Sequence, residues 1–381
     1  MPVRKNVLVT GATGFLGSHL AYRLLEQGHH VFALARSSKA APAIRRVEDT
    51  LREVAGSDEA LQEHIAQLRV IEGDISQADL GLNETSKREI VSSADEVWHC
   101  AASLSFAEDD RDEIFRMNAG GTGQLLRLVE QIPGRRLHHV STAYVAGNRP
   151  DVAMETEIDV GQTFKNPYEE SKCRSELMVA EAHRKGLARS TVYRPSIVIG
   201  DSRTGRVTHF HGVYAFIRGL WAALERIRRK MPEGTVVHLP LRVAGSTSTT
   251  LNFVPIDFVV DGMMAVAAQE TSTGGTYHLT NPEPTPNTLW LSNITRIMGV
   301  TGVEIVDKKS FDETPMTRLE ALFQKQMAFY YMYLQGEPRF DCRRTAAALQ
   351  DTGISCPRVT VDFIEKMMGW YVNYLAGKIP A

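Results

Sequence analysis

Cysteine is scarce. The chain has 381 residues and four cysteines, Cys100, Cys173, Cys342 and Cys356, with no CxxC spacing among them. That excludes a disulfide framework and a cysteine-built zinc site, and leaves reduced thiols in a cytoplasmic chain. Charge imbalance is missing too: 43 Lys and Arg face 45 Asp and Glu, a formal net charge of −2. Nothing in that balance points to nucleic acid or to a strongly acidic substrate. No apolar run approaches the roughly 18 residues of a membrane span. The first strand-like run begins at Asn6, too early for a secretory leader. Asn83-Glu84-Thr85 and Asn293-Ile294-Thr295 match glycosylation acceptors, but in a cytoplasmic chain these are chance matches. Internal repeats and low-complexity tracts are absent. The expectation is a soluble, cytoplasmic protein with chain for about two to three domains and a large core.

What is present is organised around the first seventeen residues. Asn6-Val7-Leu8-Val9-Thr10 is a short apolar run rich in β-branched residues and reads as a buried strand. It leads into Gly11-Ala12-Thr13-Gly14-Phe15-Leu16-Gly17, then into Ser18–Leu25 with helical spacing. Strand, glycine-rich turn and helix together aim free backbone N–H groups and a helix N-terminus at a pyrophosphate. Gly11 permits the tight turn, Gly14 lets phosphate approach the backbone, and Gly17 lets the helix pack on the strand. Thr13, Phe15 and Leu16 complete the loop.

Further strands are expected at His30–Ala35, Arg69–Asp74, Asp95–Ala102, Arg136–Ser141 and Ser190–Pro195, with helices between them, including about 112–131 and 167–185. Strands alternating with helices predict an α/β fold, a doubly wound parallel sheet covered on both faces. The rhythm breaks after Gly200. An apolar helix from Val213 to about Ile227 stands outside it, Leu251–Pro255 and Thr276–Thr280 read as returning strands, and a helical region follows the loop at Asn281–Pro286. The domains read as 1–201 with 251–280, and a smaller, mostly helical lobe of 202–250 with 281–381.

Tyr168 and Lys172 stand four apart on one helix face. A phenol with a reference pKa of about 10 is a poor acid or base near neutrality. An ammonium one turn away, with a cationic nicotinamide, favours the phenolate. A hydroxyl at the end of the preceding strand, in Val140-Ser141-Thr142, can donate to a carbonyl or a developing alkoxide. Arg36 ends the second strand where an acidic residue would accept the ribose hydroxyls of NAD. An arginine there suits the 2′-phosphate of NADP instead, with Arg45 or Arg46 as helpers.

These pieces, with Gly73-Asp74, Cys100-Ala101-Ala102, Asn118-Ala119-Gly120-Gly121-Thr122 and Tyr193-Arg194-Pro195-Ser196, resemble an extended short-chain dehydrogenase/reductase with a Rossmann-type sheet. Within that superfamily the chain resembles the fatty acyl-CoA reductases and thioester reductase domains, the male-sterility-type NAD-binding family. The long polar insertion before the third strand, Gly73-Asp74-Ile75-Ser76 followed by Leu80-Gly81-Leu82, and the run Trp98 to Phe106 carry that likeness.

The resemblance implies roles by position. Asp74 and Ile75 would meet the adenine side, and Ala101 and Ala102 would line the nucleotide. Asn118 would hold a helix backbone or a relay water. Thr142, rather than Ser141, would be the catalytic hydroxyl beside Tyr168 and Lys172. Pro195, Ser196, Ile197 and Val198 would pack beside the nicotinamide. One departure is Ser105, where this branch often has asparagine or arginine before the phenylalanine, here Phe106.

The implied activity is NADPH-dependent reduction of an acyl thioester, on coenzyme A or an acyl-carrier protein, to the aldehyde and then in some cases the alcohol. A sugar-nucleotide epimerase or hydroxysteroid-type dehydrogenase is the enzymatic alternative, since fold does not fix substrate, and Arg36 speaks against it. A catalytically silent dinucleotide sensor is the third reading, and it has no need of Thr142, Tyr168 and Lys172 together. A homodimer is compatible with each. Other features read as structure: His138-His139 inside a strand, and His209-Phe210-His211 with no carboxylate or cysteine set, so no metal is expected. Glu225–Lys230 reads as a solvated helix end or as a contact for a carrier's acidic surface or coenzyme A phosphates. Phe216, Ile217, Trp221, Phe329, Tyr330 and Met332 are candidate walls of an acyl pocket.

Overall fold

The computed structural model describes residues 4–232 and 235–379, with backbone only over 326–330. The chain divides into two compact units. Unit 1 comprises Met1–Pro195, Val259–Leu279 and Phe340–Ile354. Its frame is a seven-stranded sheet of β1 (Asn6–Thr10), β2 (His30–Ala35), β3 (Leu68–Glu72), β4 (Glu96–His99), β5 (Arg136–Val140), β6 (Arg189–Pro195) and β7 (Thr276–Leu279). The spatial order is β7-β6-β5-β4-β1-β2-β3, and every pairing is parallel. Strands covered on both faces need apolar residues at successive positions. Hence Val7, Leu8, Val9 and Thr10 are all buried, as is all of β5. The strand order reverses between β1 and β4, the place where open α/β sheets hold ligands beyond their strand ends.

Helix α1 (Phe15–Glu26) follows the glycine turn, and α2 (Ala43–Ala55) occupies the polar insertion before β3. The helix expected over 112–131 is interrupted. Arg111–Phe115 runs into one π-helical turn at Arg116–Gly120 before α3 (Gly121–Val129). Continuous apolar spacing hides such a turn, whose extra residue re-aims one side chain, here Asn118. Helix α4 (Pro167–Arg184) starts where Asn166 accepts from the Glu169 backbone N–H at 3.0 Å, Pro167 takes the first turn, and Glu169 Oε2 accepts from Lys165 N at 2.9 Å.

One face of the sheet is held by a pile of rings across β4 to β7. Trp98 stacks on His138 at 4.1 Å and on Tyr193 at 5.5 Å, and Tyr193 on Tyr277 at 6.4 Å. His138 meets the Tyr193 hydroxyl at 2.9 Å, and burial pushes its pKa down to about 3, so it is a neutral core residue. The β7 edge is pinned by charge. Arg194 donates to both Glu176 carboxylate oxygens, at 2.6 Å in the shortest contact, and to Glu157 O at 2.6 Å. Its Nη1 lies 3.1 Å from His278 Nε2. Glu155, also buried, accepts from His278 N and from Arg344 N, Thr345 N and Thr345 Oγ1, tying residues 340–354 to that edge.

Unit 2 comprises Ser196–Phe258, Thr280–Arg339 and Ser355–Ala381. Its principal helices are Val213–Arg228, Asn287–Ile297, Arg318–Leu334 and Val361–Leu375. Phe216 packs edge-on against Trp290 and Phe323, both at 5.3 Å. The unit also contains a parallel pair, Val237–Ala244 with Val300–Val306, that the sequence pattern does not announce. The strand expected at Leu251–Pro255 splits. Thr250–Leu251 pairs antiparallel with Thr285–Pro286, while Phe253–Pro255 pairs with Ile197–Ile199 instead of joining the seven-stranded sheet.

Candidate active site

The glycine turn has the shape its sequence implies. Gly11 has φ +80°, and a Cβ there would meet Ala101 N at 2.6 Å, so the turn lies flat against the chain leaving β4. A Cβ on Gly17 would strike the Gly11 carbonyl oxygen. Gly14 is the N-cap of α1, supplies no side-chain acceptor to the first helical turn, and a Cβ there would meet only Gly11 O, at 3.3 Å. A helix start with backbone donors and a small residue at its mouth fits the pyrophosphate of a dinucleotide. Thr13, Phe15 and Leu16 lie in and just after this turn.

The loops beyond β2, β3 and β4 surround it. Arg36 is exposed at the end of β2, and the Arg46 guanidinium donates to the Arg36 carbonyl from α2. The Arg46 guanidinium is thus held at the end of β2, where Arg36 stands. Asp74 accepts from Ser76 N at 2.9 Å and Ser76 Oγ at 2.8 Å, and Ile75 is buried against Gly121. Ala101 and Ala102, both half-buried, follow β4.

The residues expected to handle the proton, Thr142, Tyr168 and Lys172, lie at the end of β5 and on α4. The Thr142 and Tyr168 hydroxyls are hydrogen-bonded, and Thr142 Oγ1 also lies 3.4 Å from Pro195 O. The Ser141 hydroxyl is buried and has no hydrogen-bond partner among the described residues, so Thr142 is the strand-end hydroxyl that reaches the phenol. Phe106 lies beside the Tyr168 ring at 5.6 Å. Arg111 donates to Glu170 at 2.8 Å, fixing the segment after that loop to α4. Lys172, 2% exposed, donates from Nζ to Val140 O at 2.8 Å. Burial brings its pKa down to about 8, and the Glu176 carboxylate one turn on pushes back upward.

Tyr168 itself departs from the expectation of a lowered pKa. Burial holds the phenol above its ordinary value, Thr142 is the group that pulls it down, and the Lys172 ammonium points to the Val140 carbonyl. Desolvation outweighs that hydroxyl hydrogen bond, so the free chain holds a neutral phenol, an acid ready to donate.

Asn118 is buried in the π turn with both ends of its amide engaged. Oδ1 accepts from Ser103 N at 2.7 Å, and Nδ2 donates to Ser103 O at 3.1 Å and to Ser171 Oγ at 2.9 Å. It clamps the loop after β4 to α4, three residues from Tyr168.

Pro195 ends β6, while Ser196, Ile197 and Val198 begin unit 2. There Ser196 donates to Asn252 Oδ1 at 2.7 Å, and Asn252 donates to Asn281 O at 2.8 Å, a buried link between segments that the sequence reads only as a strand and a loop. Phe216 and Ile217 are core residues of unit 2 and not pocket walls, because their side chains are consumed in ring packing and full burial. Trp221 is half-buried with the Arg228 guanidinium over its ring at 5.5 Å. Phe329 and Tyr330 fall outside the described side chains. Among the described residues no group of His, Cys, Asp and Glu could hold a metal, and no helix is long and apolar enough to cross a membrane.

A switch-point glycine turn with a Thr–Tyr–Lys set beyond neighbouring strands defines an extended short-chain dehydrogenase/reductase. More narrowly, the chain belongs to the NAD-binding family described as male sterility protein, whose model matches residues 9–263. Among curated relatives it is 26% identical over 348 residues to carboxylic acid reductase of Mycobacterium tuberculosis, covering 84% of this chain and 29% of that protein. It is 24% identical to a linear gramicidin synthase of Brevibacillus parabrevis, covering 96% of this chain and 7% of that one. The chain thus spans less than a third of the length of either. Among solved structures, the terminal R domain of the myxalamid PKS-NRPS pathway has a TM-score of 0.80 at 25% identity, covering 100% of this chain and 93% of that one. UDP-glucuronic acid 4-epimerase of Bacillus cereus, at 20% identity and a TM-score of 0.67 over 98% of each chain, shares the fold.

Proposed function

We propose that this protein reduces an acyl thioester to the aldehyde and free thiol with NADPH. The observation that carries the reading is the Thr142–Tyr168 hydroxyl pair beside buried Lys172, in a chain of a family whose relatives include carboxylic acid reductases. Gly11, Thr13, Gly14, Phe15, Leu16, Gly17, Asp74, Ile75, Ala101 and Ala102 hold the dinucleotide, with Pro195, Ser196, Ile197 and Val198 toward its nicotinamide end. Arg36 and Arg46 select its 2′-phosphate, since a guanidinium offers a fork of donors to phosphate. When bound, the reduced nicotinamide supplies a hydride. Thr142 and Tyr168 donate to the thioester carbonyl oxygen and steady its negative charge as the carbon becomes tetrahedral. Tyr168 then gives up its proton to that oxygen, and Lys172, holding the ribose, favours the phenolate left behind. The hemithioacetal loses thiol to give the aldehyde, and a second cycle on the aldehyde gives the alcohol. Asn118 keeps α4 in place through Ser171.

The acyl group arrives already activated, on coenzyme A or on a carrier protein. The solved thiolation-reductase di-domain of an archaeal synthetase, with a similar fold, makes a carrier the natural donor to test first. The acyl part falls to unit 2, Ser196–Phe258, Thr280–Arg339 and Ser355–Ala381, whereas Phe340–Ile354, expected in that lobe, belongs to unit 1. Incubation with NADPH and a panel of acyl-CoAs and acyl-carrier thioesters, read by mass spectrometry, should yield aldehyde or alcohol. Turnover of a nucleotide sugar with none of any thioester would overturn the proposal.

A further inference from the structure

Beneath the glycine turn lies a run of buried polar groups that the proposed chemistry does not use. Thr10 ends β1, His99 ends β4 and Thr122 lies in α3, all 0–1% exposed. Thr122 Oγ1 donates to Asn118 O at 2.7 Å. His99 Nε2 is 3.2 Å from the same Thr122 oxygen, and His99 Nδ1 is 2.8 Å from Thr10 Oγ1. The Ala101 N–H points at Thr10 Oγ1 from 3.4 Å.

The direction of every bond in this run is fixed by its ends. A carbonyl only accepts, so the Thr122 proton goes to Asn118 and the Thr122 oxygen must accept from His99. His99 therefore carries its proton on Nε2. Burial, with a smaller push from the neighbouring Lys172 ammonium, brings its pKa down to about 3, so the ring stays neutral and Nδ1 is an acceptor. The Thr10 hydroxyl donates to it, which leaves the Thr10 oxygen free to accept from Ala101.

We infer that His99 is a positioning residue, locked as the Nε2–H tautomer, that couples the dinucleotide turn to the clamp on the catalytic helix. At one end the run holds the Ala101 peptide, against which Gly11 lies. At the other it holds Asn118, whose amide grips Ser103 and Ser171. A shift at either end passes through one imidazole with no slack, because each hydroxyl in the run both donates and accepts and each ring nitrogen has one partner.

The tautomer is testable without any variant and without any turnover. In the full chain labelled with 15N-histidine, His99 should show a protonated Nε2 and a bare Nδ1 from about pH 5.5 to pH 8, with no titration. A proton on Nδ1, or titration in that range, would overturn the inference. The coupling is read from NADPH dissociation constants for Thr10→Val, Thr122→Val and the double variant, with Thr10→Ser and Thr122→Ser as hydroxyl-retaining controls for folding. Thr122→Val should weaken NADPH even though it lies on the catalytic side. The double variant should fall well short of the product of the two single losses, because a run broken once has little left to lose. Multiplicative losses, or an unchanged constant in Thr122→Val, would refute coupling. A tenfold to hundredfold loss of kcat in Thr122→Val, on the order expected for misplacement near reacting groups, rests on the proposed reduction. The NADPH constants do not, so the two can fail separately.

Discussion

Burial leaves Tyr168 a neutral donor and Lys172 a weakened cation, and each has a kinetic consequence. Tyr168→Phe removes the proton but not the packing against Phe106. Turnover should fall by roughly 10²-fold or more, while NADPH binding changes only a few-fold. Near-normal turnover would take Tyr168 out of the mechanism. Lys172, with a pKa near 8, loses its charge on the alkaline side, so kcat/KM should decline there. The groups facing it are His99, Cys100 and His139 from the sheet and Glu176 from its own helix. Of these, Glu176 gives the ammonium its largest support, ahead of Cys100. Glu176→Gln should therefore move the alkaline limb to lower pH, and a limb that stays put contradicts this assignment. Arg36→Asp replaces the proposed partner of the 2′-phosphate with a like charge. It should weaken NADPH and relatively favour NADH, as read from the ratio of the two dissociation constants. A wild type that already prefers NADH would contradict that role for Arg36.

At the scale of elements, the glycine turn and α4 were the most legible, because φ-demanding glycines, an Asn-Pro start and a Tyr–Lys spacing are written locally. What the sequence hid depends on distant partners. Arg194 reads as part of a motif and Glu176 as one more helix carboxylate, and only the packing of β6 on α4 makes them a buried ion pair. His138 and His139 are adjacent letters, yet one belongs to the ring pile and the other has, among the described residues, no hydrogen-bond partner for either ring nitrogen. The pair Val237–Ala244 and Val300–Val306 was invisible because a parallel partner lies some sixty residues away, beyond any local pattern. The Arg194–Glu176 pair yields a stability prediction. Arg194→Ala strands a carboxylate that is fully buried, and should cost about 3–5 kcal/mol. A urea midpoint within error of the wild type would show that the pair contributes little.

At the scale of the molecule, the alternation of strands and helices up to Pro195 was readable as a doubly wound sheet, and the sheet has that order. The seventh strand was also readable, though not the strand pairings of unit 2, whose short segments borrow partners from far along the chain. The reading of function divides at the same boundary. Residues before Pro195 carry the glycine turn and the Thr142, Tyr168 and Lys172 set, whereas the proposed choice of acyl group falls to segments whose apolar residues serve first as core. The central claim is that hydride reaches a thioester carbonyl carbon. The direct measurement uses NADPH deuterated at C4 of the nicotinamide with an acyl-carrier or acyl-CoA thioester, and mass analysis of the product. Deuterium on the aldehyde carbon, with release of free thiol, is the predicted result. Oxidation of the cofactor without label in any acyl product, or conversion of a nucleotide sugar with the thioester untouched, would contradict it.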